Sequence, residues 1–138
     1  MKLRTAVVAI AAIVISGHAA AQTCPSNTSR VQNVGSLVGN NTMCAVRGTD
    51  RWQEFHQSGG ALIDWKLGSN LASVDPTKQV GTWTSSNGSS STVTHTYTGG
   101  PSYTWAICQV TDNNYTLVSA NDSVSGVSIR TGQVACTP

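Results

Sequence analysis

The chain has 138 residues, only 10% of them charged, and a formal net charge of +2. The two excess positive charges, Lys2 and Arg4, lie in the first 21 residues, and the rest of the chain carries equal numbers of basic and acidic side chains. This balance, with no run of Lys or Arg, gives no support for binding nucleic acid or an anionic membrane surface.

The first 21 residues have the three-part pattern of a secretory signal peptide. After the basic start comes an apolar run from Ala6 to Ile15, and small residues follow up to Ala19 and Ala21. The run is much shorter than the ~20 apolar residues that cross a bilayer as a helix. We therefore predict a signal peptide over residues 1–21, no membrane span, and a single β domain over residues 22–138 that is secreted or periplasmic.

The four cysteines all lie in the predicted exported part, where an oxidising compartment lets them pair. Two disulfides are expected, and three connectivities are possible. Because short loops close readily, we favour Cys24 with Cys44 and Cys108 with Cys136. A zinc site is the alternative, but the chain has no C-x-x-C pair.

Period-two alternation between Gly and Asn clusters dominates the rest of the chain, which indicates antiparallel β structure. Residues 29–38 have room for a turn or two of helix, and Gly99-Gly100-Pro101 and Asp112-Asn113-Asn114 are turn signals. In chain order, the predicted strands are NNTMCAV, RWQEFHQ, ALIDWKLG, VGTWTS, STVTHTYTG, SYTWAICQV, YTLVSA, and one or two closing strands from VSGVSIR and QVACT.

About seven or eight short strands in one core predict an all-β fold, either a small antiparallel barrel or a β sandwich. The strands VGTWTS, STVTHTYTG and SYTWAICQV follow one another as a meander. This up-and-down order favours the barrel.

The pentapeptide WQEFH lies in a predicted hairpin whose loop is Ser58-Gly59-Gly60. Such a loop places Phe55 opposite Ile63 and Gln53 opposite Trp65, and we assign the apolar Phe55 side to the core. The opposite face then carries Trp52, Glu54, His56, Leu62, Asp64 and Lys66.

Glu54, His56 and Asp64 on that face form a candidate catalytic group, since a carboxylate can orient an imidazole for acid–base chemistry. His56, His95 and one carboxylate are the corresponding candidates for a metal site. The alternative is a solvated face with an ion pair between a carboxylate and Lys66, while His95 forms hydrogen bonds within the core.

Aromatic side chains are the second candidate site. Tryptophan and tyrosine join an apolar body to a polar edge, which suits ligand cavities, although filling a small β core is the alternative use. The candidate ligand-binding residues are Trp83, Tyr97, Tyr103 and Trp105.

The segments LVGNNTMC, RWQEFH, GGALIDWKLG, VDPTKQVGTW and PSYTWAIC together resemble a functionally uncharacterised group of small secreted proteins from Gram-negative bacteria. The resemblance implies export and a compact β fold. In addition, Gly81-Thr82-Trp83 at the start of a strand is similar to the G-x-W signature of lipocalin-like and avidin-like barrels, which hold small apolar or amphipathic ligands.

Taken together, these features favour a disulfide-stabilised binding protein without a cofactor. Its expected partner is a small apolar or amphipathic molecule or a component of the cell envelope. Two alternatives are a small hydrolase or metal-dependent enzyme centred on Glu54, His56 and Asp64, and a structural or interaction protein of the cell surface. The sequence does not define an oligomeric state.

Overall fold

The computed structural model describes residues 22–48, 50–64 and 78–136. The predicted signal peptide and the predicted roles of Trp65 and Lys66 therefore fall outside the described residues. The elements are β1 (Ser29–Arg30), α1 (Val34–Val38), β2 (Asn41–Arg47), β3 (Asp50–His56), β4 (Ala61–Asp64), β5 (Lys78–Ser85), β6 (Val93–Tyr97), β7 (Ser102–Thr111), β8 (Asn114–Val118) and β9 (Ser123–Thr131).

Strands β2 to β9 form a closed antiparallel barrel, which confirms the predicted fold class. Consecutive strands pair from β2 through to β9, and β9 also pairs with β2. Each of these strands has a neighbour on both sides, and the short β1 adds to β7. Ring closure leaves no long unpaired edge among strands β2 to β9.

The alternation of strand β6 shows how the sequence fills the barrel. Val93 and His95 point inward and are 0% and 2% exposed, whereas the alternating residues Thr94 and Thr96 are more accessible. Successive strands place further apolar side chains at the same interior, each contributing about 1.5–3 kcal/mol when fully buried. The core contains Val34, Val38, Met43, Ala45, Val93, Trp105, Ile107, Tyr115, Leu117, Val124 and Val127.

Helix α1 crosses one end of the barrel. The chain runs from β1, beside β7, to β2, and on the way Asn33 bridges Asn87 in the β5–β6 connection. Val34 and Val38 are fully buried and belong to the core, so the helix closes this end. No helix in the described residues is long and apolar enough to cross a membrane.

The register of the β3–β4 hairpin is as predicted, with Phe55 opposite Ile63, but the assignment of its faces was wrong. The barrel interior receives the face of Glu54 and His56, which are 6% and 0% exposed. Gln53 lies on the outer face and is nevertheless buried. The C-terminal segment lies against it, and the Cys136 backbone N–H donates a hydrogen bond to the Gln53 side-chain oxygen at 2.7 Å. A covering from the C-terminal segment thus buries the outer face as well.

The disulfides join Cys24 to Cys108 and Cys44 to Cys136, so the predicted connectivity was wrong. Strand pairing explains the observed partners. The N-terminal segment lies along β7, where Arg30 pairs with Cys108, and the C-terminal segment lies beside β2 and β3. Spatial neighbourhood in the barrel, rather than proximity in sequence, selects the pairs.

Candidate functional site

A cavity of about 360 Å³ opens at the end of the barrel opposite helix α1. Strand directions fix this position, because α1 leads into the first residue of β2 whereas Arg47, on the cavity, is the last. The volume lies at the lower end of the range for small-molecule pockets, roughly 300–1,000 Å³. The lining residues are Arg47, Trp52, Glu54, Tyr97, Tyr103, Trp105 and Asp122.

Four aromatic rings form a continuous row along the cavity wall. Tyr97 meets Tyr103 edge to face at 6.0 Å between ring centroids, and Tyr103 stacks on Trp105 at 6.1 Å with 18° between the planes. Trp105 then contacts Trp52 at 6.3 Å. The β6–β7 hairpin brings Tyr97, Tyr103 and Trp105 to one wall, while Trp52 comes from β3.

The mouth of the cavity is polar and accessible to solvent. Tyr103 is 45% exposed, and Arg47 and Asp122 form an ion pair at 2.5 Å. Because both charged side chains are substantially exposed, the pair stabilises the fold by only ~0.2–1 kcal/mol. It also neutralises the charge of Arg47 at the entrance.

Glu54 carries the buried carboxyl group of the cavity. Its Oε1 accepts a hydrogen bond from the Tyr97 hydroxyl at 2.5 Å. Its Oε2 lies 3.3 Å from His95 Nδ1, but the contact lacks hydrogen-bond geometry, and Oε2 has no hydrogen-bond donor among the described residues. One oxygen of this cavity-lining residue is therefore buried without a hydrogen-bond partner among the described residues.

Burial raises the pKa of Glu54 from 4.5 to about 7, because the interior disfavours the charged form. The hydrogen bond from Tyr97 opposes this shift, whereas the charge of Asp64, directly across the β3–β4 pair, adds to it. The same burial, with the Glu54 charge, raises the pKa of the Tyr97 hydroxyl well above its ordinary value. Glu54 therefore exchanges a proton near neutral pH, while Tyr97 stays protonated.

Two histidines lie within the barrel and bond to each other. The Nε2 atoms of His56 and His95 are 2.9 Å apart, so one ring donates and the other accepts. Burial lowers the pKa of His56 to about 4, against the effect of backbone contacts with Asn41 and Glu54. Burial and repulsion from His56 lower the pKa of His95 to about 3. Both rings are neutral at pH 7, so the contact of His95 with Glu54 is not an ion pair there.

The candidate catalytic group is only partly assembled. Glu54 contacts Tyr97 and His95, whereas His56 pairs with His95. Asp64 lies opposite Glu54 in the strand register. Among the residues that the structure describes, no group of three His, Cys, Asp or Glu side chains is placed to hold a metal ion.

Three of the four candidate ligand-binding residues, Tyr97, Tyr103 and Trp105, line the cavity, and Trp83 does not. Trp83 lies towards the other end of the barrel, where its Nε1–H donates to the Gln57 carbonyl at 2.9 Å and its ring edge meets His56. A ligand-binding role for these residues stays a prediction.

Sequence reasoning missed Trp52, Arg47 and Asp122 as cavity residues. Trp52 precedes Glu54 by two positions and therefore shares its face, so a correct assignment of that face would have identified it. The pairing of Arg47 with Asp122 joins positions far apart in the chain and left no signal in the sequence.

Neither a protein-family model, nor a curated protein, nor a solved structure matches this chain.

Proposed function

We propose that this chain is a secreted or periplasmic protein that binds a small ligand in the open end of its barrel. The observation that carries the proposal is the cavity of about 360 Å³, with four aromatic side chains on its walls and the carboxyl of Glu54 inside it. Apolar and aromatic walls with a few polar groups are typical of ligand pockets. The expected ligand is small and amphipathic.

Beyond Glu54, the described part of the barrel interior is occupied by buried side chains. Leu62, Val93 and Ile107 are 0% exposed, and α1 closes the far end. A ligand would therefore enter from the side of Tyr103 and stop near Glu54. Because the aromatic wall is already held by ring-to-ring contacts, little side-chain ordering is needed on binding, which favours affinity.

Export is the second part of the proposal. The signal-like first 21 residues favour it, and disulfides form and persist mainly outside the cytosol. Fractionation of the native host distinguishes the periplasm from the extracellular space.

Native mass spectrometry of the full chain, exported and purified from its own host without detergent, tests the binding function. We expect a non-covalent small-molecule mass on the wild type. Tyr103→Ala removes an exposed part of the cavity wall and should reduce the bound fraction. Trp83→Phe, at the other end of the barrel, is the matched aromatic control and should retain the ligand.

A wild-type protein without bound mass, whose tryptophan fluorescence also fails to respond to aromatic amines, alcohols and fatty acids, would overturn the proposal. Equal loss of ligand in Trp83→Phe and Tyr103→Ala would instead place the binding site elsewhere.

A further inference from the structure

The carboxyl group of Glu54 indicates which kind of ligand the cavity favours. Glu54 is 6% exposed and lines the cavity, and its Oε2 has no hydrogen-bond donor within the described ranges. A buried carboxylate with an oxygen that lacks a partner is costly, and part of this cost is recovered when a ligand in the cavity places a hydrogen-bond donor or a positive charge beside the carboxyl group. The site therefore favours a ligand with a donor group.

The charges around Glu54 favour a positively charged donor. Glu54 faces His56 on its own strand and His95 and Tyr97 on β6. All three side chains are neutral at pH 7, because burial lowers the pKa of both histidines and raises the pKa of Tyr97. On β4, Glu54 faces Asp64, whose negative charge raises the Glu54 pKa further.

No described basic side chain is paired with the carboxyl group of Glu54. Arg47 at the mouth is paired with Asp122, and Lys78 lies opposite Asp64 in the β4–β5 register, on a largely exposed strand position. On β2, the residue opposite Glu54 is the uncharged Met43. Among the described residues that line the cavity, Glu54 has no cationic partner.

The aromatic walls add a second attraction for cations. Trp and Tyr rings carry negative potential on their faces and attract ammonium groups that approach within ~6 Å. Trp52, Tyr97, Tyr103 and Trp105 all line the same cavity as Glu54. Several aromatic rings around one buried carboxyl group form a cage suited to an organic ammonium ion.

We propose that the ligand of this cavity is a small organic ammonium ion whose nitrogen lies between the carboxyl group of Glu54 and the aromatic wall. The inference rests on the proposed binding function and names the chemical class of its ligand. A primary or secondary ammonium fits best, because it both donates N–H to the carboxylate and presents charge to the rings.

Binding should depend on pH through the carboxyl of Glu54. Its pKa is about 7 in the ligand-free protein, so above pH 7 the group is mostly a carboxylate, whereas below pH 7 it is mostly protonated and must lose its proton when an ammonium ion binds. An alkylammonium stays charged through this range, like the side chain of lysine. Affinity should therefore be constant above pH 7 and fall as the pH is lowered towards 5.5.

Isothermal titration calorimetry of the full exported chain tests the proposal with three probes that share a phenyl group. They are 2-phenylethylamine, its neutral isostere 2-phenylethanol, and the anion 3-phenylpropionate. At pH 8 we expect the amine to bind at least about tenfold more tightly than the alcohol, and the anion most weakly. At pH 5.5 the preference for the amine should shrink.

Glu54→Gln keeps the shape and an acceptor for Tyr97 but removes the charge, so it should lose the preference for the amine while retaining the alcohol. Asp112→Asn removes a carboxylate from the exposed turn between β7 and β8, which does not line the cavity, and is the matched control, expected to keep the preference. Equal binding of amine and alcohol at pH 8, or an unchanged preference in Glu54→Gln, would overturn the ammonium proposal alone. Absence of binding by all three probes would contradict both this inference and the proposed function.

Discussion

Replacing Glu54 by Gln should change how protein stability responds to pH. The folded state holds the Glu54 proton up to about pH 7, whereas the unfolded chain releases it near pH 4.5. Between pH 4.5 and pH 7 the folded protein binds a proton that the unfolded chain has lost, so the free energy of unfolding falls as the pH rises. The stability that is fully present below pH 4.5 is lost as the pH rises through 7. Gln does not titrate and does not show this loss.

The size of the effect follows from the pKa difference. Each pKa unit corresponds to 1.36 kcal/mol, so the full shift of Glu54 is worth about 3 kcal/mol. The free energy of unfolding of Glu54→Gln, minus that of the wild type, should rise by about 2.5 kcal/mol between pH 5 and pH 8, with half of the change complete slightly above pH 6. Relative to the wild type, the variant should therefore be more stable at pH 8 than at pH 5.

Urea unfolding followed by tryptophan fluorescence, with the disulfides intact, measures this difference at pH 5, 6, 7 and 8. Subtraction cancels the titration of His56 and His95, which both proteins retain. A difference that stays constant from pH 5 to 8, or that moves against the variant, would refute a buried carboxyl whose pKa is raised.

Three further predictions concern the barrel itself. His56→Gln should make the protein less sensitive to acid, because the pKa of His56 is lowered to about 4 in the folded state and the stabilisation present above pH 6.5 is lost as the pH falls. The free energy of unfolding of the variant, minus that of the wild type, should rise by about 2 kcal/mol from pH 7 to pH 5, and a constant difference would contradict this. Removing either disulfide by paired Cys→Ala changes should lower the free energy of unfolding by about 2–5 kcal/mol. Non-reducing peptide mapping should recover a peptide that joins Cys24 to Cys108, whereas a peptide that joins Cys24 to Cys44 would contradict the fold. Gly81→Ala should destabilise the protein strongly, because a Cβ at this position would collide with the Thr96 carbonyl oxygen. The control Gly100→Ala, where the nearest atom is 3.4 Å away, should unfold at a denaturant concentration closer to that of the wild type. Equal unfolding midpoints of the two variants would rule out the close approach of β5 and β6.

The strands and their order could be predicted because alternation and turn residues are local. Alternation in STVTHTYTG places Val93 and His95 on one face of β6, and alternation in SYTWAICQV places Trp105 and Ile107 on one face of β7. In the structure all four side chains are buried. The three-residue loop also fixed the pairing of Phe55 with Ile63. These features depend on neighbours in the sequence.

The inner face of β3 could not be predicted, because both of its faces are buried for different reasons. Alternation divides Trp52, Glu54 and His56 from Gln53 and Phe55, and each set contains an aromatic and a polar residue. The deciding contact is the C-terminal segment on Gln53, which no local pattern indicates.

Disulfide pairing failed for a related reason. The cost of closing a loop grows only with the logarithm of its length, so it weakly favours short loops. The barrel instead places Cys24 beside β7 and Cys136 beside β2, and these contacts outweigh the difference.

The most direct test of ligand binding at the open end of the barrel uses the tryptophan indole N–H signals in a nuclear magnetic resonance titration of the full exported chain with 2-phenylethylamine. Trp52 and Trp105 line the cavity, and Trp83 donates its indole N–H to Gln57 towards the opposite end. Saturable shifts of the Trp52 and Trp105 signals, with the Trp83 signal unchanged, are the predicted result. Shifts as large at Trp83, or none at Trp52 and Trp105, would contradict it.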